Sequence, residues 1–93
     1  MTPASVVVPL YKLERVALTD LDAAIECARR YGAEHSPNTG EAFRRDVAKS
    51  YLRGLRGEVD PYARGRGANF AAPFRRAYRA GADLRRQLQA GAV

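Results

Sequence analysis

Tryptophan is absent from this chain of 93 residues, and cysteine, histidine and methionine occur once each. With Cys27 alone, no disulfide can form within the chain, and a reducing, cytoplasmic setting is the simplest expectation. His35 and Cys27 have no metal-ligand spacing around them, so no zinc site and no cofactor are expected. Long apolar runs are missing too. The β-branched stretch Val6-Val7-Val8 falls far short of the ~20 residues a membrane span needs, so no membrane partner is expected. The uncharged opening Met1-Thr2-Pro3 lacks the basic and apolar regions of a secretory leader. Aromatic residues make up only 9% of the chain, which favours closely packed, alanine-rich helices over a thick aromatic core. Gly65-Arg66-Gly67 has neither the GxxxxGK[ST] spacing nor the preceding strand of a phosphate-binding loop. Cys27 falls in a helix interior, where a thiol gains no activation. Glu58 and Asp60 could pair for acid–base work, but a turn favours acidic residues there anyway. No enzyme is expected.

What the chain does have is charge of one sign, unevenly placed. Residues 1–41 hold four basic residues against six acidic ones, a net of −2; residues 42–93 hold twelve against four, a net of +8. A basic half of this kind calls for a polyanionic partner, and phosphate is the commonest. The plainer reading is a solvated surface in a protein with biased codon usage, since arginine outnumbers lysine fourteen to two.

Periodicity predicts an all-α fold: a small three-helix domain over residues 19–93, behind a non-helical N-terminal arm over 1–18. Ser5-Val6-Val7-Val8-Pro9-Leu10 has no later strand partner, so it reads as an extended arm packed on helices or an edge strand awaiting another chain. A first helix is predicted over 19–31, with Thr19 and Asp22 at the spacing of a capping box and Gly32 as its stop. Leu21, Ala24, Ile25, Ala28 and Tyr31 form its apolar face. Asn38 and Glu41 cap a second helix over 39–56, whose face is Phe43, Val47, Tyr51 and Leu55. A basic loop follows over 63–69. The third helix is predicted over 72–89, with Pro73 marking its first turn. The expected core is Phe43, Val47, Tyr51, Leu55, Phe74, Tyr78 and Leu84, joined by Leu21 and Ile25, and the tail 90–93 should fray.

The basic half also supplies the candidate site. Arg64 and Arg66 lie on the loop between Tyr62 and Phe70, while Arg75, Arg79 and Arg86 fall about 100–140° around the third helix from Phe74, as an exposed stripe. Arg53, on the second helix, completes the set of cations. Arginine offers planar, bidentate donors to phosphate, and Tyr62 could stack on an unpaired base. Against this, Tyr62 and Phe70 could instead close the small core, and His35 reads as a surface turn residue.

Over residues 48–83 the chain resembles the ribosome modulation factor family, which includes relatives on phages and plasmids. Tyr51-x-x-Gly54-x-x-Gly57 is similar to the spacing that ends that family's first helix, and Pro61-Tyr62 to its proline-aromatic pair. Phe74-x-x-Ala77-Tyr78-x-x-Gly81 resembles its second helix, with Phe74 in place of tryptophan and Ala77 in place of glycine. The resemblance implies a basic helical hairpin that docks on ribosomal RNA and silences ribosomes, with Arg53, Pro61, Tyr62, Arg75 and Arg79 in or beside the matching motifs. The alternative expectation is a phage or mobile-element protein that binds and inhibits a host protein or nucleoprotein complex through its basic face. A sequence-specific DNA reader is the weaker option, because about a dozen residues separate the last two helices and not the short turn of a helix-turn-helix.

Overall fold

The computed structural model describes residues 8–63 and 68–91, without the side chains of 68–70. Val6, Val7, Arg64, Arg66, the Phe70 ring and the last two residues of the tail lie outside it. The fold is all-α, with α1 at Leu10–Val16, α2 at Leu21–His35, α3 at Glu41–Leu55 and α4 at Ala68–Gln89.

α1 corrects the expectation of a non-helical arm through residue 18. It has no buried residue of its own apolar set and follows Pro9, so periodicity had little to register. It is held to α2 by the Arg30 guanidinium, which donates to the Val8 carbonyl at 2.7 Å. Asp20, and not Thr19, caps α2: its carboxylate accepts from the Ala23 amide at 3.2 Å, while the Thr19 hydroxyl donates back to Val16 in the turn leaving α1. Gly32 does not stop α2. It is buried against α3, where a Cβ would lie 2.7 Å from the Arg44 carbonyl oxygen, so the glycine serves close approach and the helix continues to His35. Gly40 caps α3 with its backbone alone, in place of the expected Asn38. At the other end Gly57, at φ 73°, closes a Schellman cap: the Glu58 amide donates to Arg53 at 2.9 Å and the Gly57 amide to Gly54 at 3.1 Å. α4 begins before Pro73, which falls in its second turn, so the helix forgoes the one bond that a Pro73 N–H would make.

α2 and α3 are antiparallel neighbours across the turn 36–40, whereas α3 and α4 are not the expected hairpin. Their contacts advance together, from Phe43 against Phe74 to Gly54 against Tyr78 and Ala82, and on to Gly57 against Arg85. The two helices therefore run in the same direction, and the linker returns along α4. Glu58 accepts from the Tyr78 hydroxyl, and the Tyr62 ring stacks on Phe74 at 4.8 Å. At the crossing each helix presents a small residue four before a glycine, Ser50 and Gly54 facing Ala77 and Gly81. All four are buried.

The core holds Val47, Tyr51, Leu55, Phe74 and Leu84, as expected, together with Ala24, Cys27, Ala28 and Ala77. Phe43 packs against it half-buried. Three expected members do not belong. Tyr78 is half-buried with its hydroxyl on the linker, and Leu21 and Ile25 are 52% and 46% exposed. α2 is rotated so that alanines and Cys27 face inward, which lets its backbone approach α3 where leucine and isoleucine would hold it off. Burial, then the Glu14 carboxylate, push the Cys27 thiol up to about 11, so it stays neutral at ordinary pH.

Ser50 is fully buried and its hydroxyl has no hydrogen-bond partner among the described residues. A buried orphan hydroxyl is destabilising by about 1–3 kcal/mol. Ser50→Ala, which keeps the residue small at the crossing, is expected to raise the melting temperature by several degrees in a circular-dichroism melt. A lowered melting temperature would mean that the hydroxyl is bonded after all.

Candidate nucleic-acid interface

On α2 the basic residues are engaged. The Glu26 carboxylate accepts from Arg29 at 2.6 and 2.7 Å and from Arg30 at 2.8 Å, and these bonds hold its carboxyl down to about 2. The net positive charge lies on α3 and α4, where the cations divide by what they touch.

Two arginines of α4 are structural. The Arg75 Nε donates to the Tyr62 carbonyl at 2.7 Å, and Arg85 donates to the Leu55 carbonyl at 3.3 Å. Arg75 is thus half-buried against the linker, a correction to the exposed stripe expected of it. Arg86 is exposed as expected, but it pairs with Asp83 one turn earlier. Arg79 is exposed and makes no ion pair or hydrogen bond among the described residues; the same holds for Arg76 and Lys49, and for half-buried Arg53. An unpaired guanidinium keeps all its donors available to phosphate.

Tyr62 is half-buried against the core. Its ring lies on Phe74 at 4.8 Å and 23°, and its amide donates to the Asp60 carboxylate at 2.9 Å in the turn. One ring face is therefore spent on the core. The structure brings Arg75 and Tyr62 together, leaves Arg79 without an ion pair or hydrogen bond among the described residues, and pairs Arg86 with Asp83 on its own helix.

Two features were not legible as a site from the sequence. Arg76 lies beside Arg79 on the lip of a groove of about 440 Å³ between α4 and the last turn of α2. Tyr31 and His35 line it too, at the end of an aromatic stack. Tyr51, Tyr31 and His35 form a ladder of rings, with centroids 4.8 Å apart for the two tyrosines and 3.9 Å for Tyr31 and His35. His35 is therefore not a turn residue but the last residue of α2, placed over Tyr31 by the i, i+4 spacing of a helix that runs through Gly32. That spacing was readable; the assumed stop at Gly32 concealed it. Burial raises the Tyr31 phenol, and the nearby Arg76 charge opposes the rise. Among the described residues no group of three or more histidine, cysteine, aspartate or glutamate side chains could hold a metal, and no helix is long and apolar enough to cross a membrane. No family model, no curated protein and no solved structure matches this chain.

Proposed function

We propose that this is a small cytoplasmic RNA-binding protein that docks on ribosomal RNA and modulates translation. The observation that carries the RNA reading is the set of unpaired cations on α3 and α4: Lys49, Arg53, Arg76 and Arg79. Desolvating such charges against protein is unfavourable, whereas phosphate oxygens match their donors and release counterions. The ribosome as the RNA's setting rests on the resemblance of residues 48–83 to ribosome modulation factors.

Three to five phosphate contacts give log affinity a slope of roughly −2 to −4 against log salt. Arg53→Gln and Arg79→Gln are each expected to flatten that slope by nearly one unit and to weaken all RNAs about equally. Titrations of a labelled RNA at several salt concentrations measure this. Absence of RNA binding at low salt, or binding with no salt dependence, would refute the reading.

One observation favours a second reading, in which the chain binds a host protein. Exposed Ile25 with Ala48 and Leu52 floors another groove of about 440 Å³, between α2 and α3, and Arg45 and Lys49 stand on its rim. An apolar floor with a basic rim suits an acidic amphipathic segment better than it suits RNA. A partner retained equally well from native lysate after RNase treatment would support this reading over the first.

A further inference from the structure

The groove between α4 and the last turn of α2 is lined by the aromatic residues Tyr31 and His35 and by free positive charge. Its ladder is anchored at the inner end, because Tyr51 is only 5% exposed, and it ends at the surface, because His35 is exposed. The His35 Nδ1 lies 3.1 Å from the Tyr31 carbonyl oxygen. A carbonyl can only accept, so Nδ1 carries the proton and the imidazole is held over the Tyr31 ring. A ring fixed in this way loses little further freedom when another ring is added to the stack.

Arg76 and Arg79 line the groove as well, one turn apart on α4 and free of ion pairs among the described residues. The carboxylate beside them, Asp83, is bonded to Arg86, which moderates its repulsion of an incoming anion. Pro73 adds an apolar surface at one end. The volume lies in the range of about 300–1,000 Å³ typical of small-ligand sites. A planar, unsaturated ring joined to an anion is what such a space accepts, and a nucleotide that is not base-paired has both.

We propose that this groove binds one unpaired nucleotide of the RNA, its base stacked on the His35–Tyr31 ladder and its phosphate held by Arg76 and Arg79. The proposal rests on the RNA reading above and adds His35 to that reading as a base-stacking residue.

The test compares an unpaired oligoribonucleotide with a blunt-ended, fully paired RNA duplex of the same length, by fluorescence anisotropy at fixed salt. His35→Ala is expected to weaken the unpaired strand roughly 5- to 100-fold, the range seen when one stacking aromatic is lost, and to leave the duplex within about twofold. His35→Phe, which keeps a flat ring, is expected to retain most of the affinity, and Arg76→Gln to weaken both RNAs. A 2-aminopurine placed in the unpaired strand is expected to be quenched by the wild-type protein and not by His35→Ala. Equal weakening of both RNAs by His35→Ala, or no weakening of either, would overturn the nucleotide site while salt-dependent binding left the RNA reading standing. Failure of the wild type to bind either RNA at low salt would overturn both.

Discussion

Gly54→Ala is expected to lower the melting temperature of the protein by ten degrees or more. A Cβ there would fall well inside the van der Waals radius of the Tyr78 carbonyl oxygen and 2.8 Å from the Ala82 amide nitrogen. Both neighbours are backbone atoms in the middle of α4, so no rotamer change can relieve the overlap; the helices themselves must separate. Alanine would bring about 1 kcal/mol of helix propensity. Overpacking of a tight interface costs about 1–3 kcal/mol, and here it also opens the largest contact in the fold. The clash wins. Because a small domain shifts by about 4–8 °C for each kcal/mol, a fall in melting temperature of ten degrees or more is the expected reading. Gly81→Ala should behave alike, since its Cβ would meet the Tyr51 carbonyl oxygen and the Leu55 amide in the mirrored arrangement. The double variant should cost less than the sum, because helices already forced apart accommodate the second methyl. Gly40→Ala, with nothing within 4 Å of the new Cβ, is the control and should melt close to the wild type. An unchanged melting temperature for Gly54→Ala would refute the close crossing.

Phe74→Ala is expected to be comparably severe for the opposite reason, emptiness in place of crowding. Phe74 is 2% exposed and its ring lies 5.3 Å from Phe43 and 4.8 Å from Tyr62. Removing a buried phenyl ring costs about 3–5 kcal/mol, and these two aromatic contacts go with it. A domain of this size has a margin that starts near 5 kcal/mol. Loss of cooperative melting by circular dichroism is the expected result, and an unaltered melting curve would remove Phe74 from the core. Tyr62→Ala, which uncovers Phe74 without deleting it, should have the smaller effect.

Local periodicity was sound on α3, whereas the caps read at Thr19 and Asn38 fall at Asp20 and Gly40. The spacing of Val47, Tyr51 and Leu55 located the buried face of α3, and Gly57 supplied its C-terminal cap. What one helix cannot encode is the partner that covers it. Leu21 and Ile25 recur at helical spacing, yet the neighbour of α2 is a backbone that comes close enough only over alanine. Glycine was the other source of error, because a stop and a close approach look alike in one dimension: Gly57 is the first, and Gly32, Gly54 and Gly81 are the second. The direction of α4 relative to α3 was not readable at all. Either direction is open to a linker of about a dozen residues, and only the crossing decides between them. For the candidate site, charge alone could not say which cations of α4 are spent on carbonyls, as Arg75 and Arg85 are, because that depends on where the linker returns.

The crossing of α3 and α4 has one more consequence. Tyr51-x-x-Gly54 and Tyr78-x-x-Gly81 meet as near-equivalents, each glycine resting on the other helix's tyrosine carbonyl. The parallel pair is thus close to two-fold symmetric about its crossing, so the two halves of the contact form and separate together.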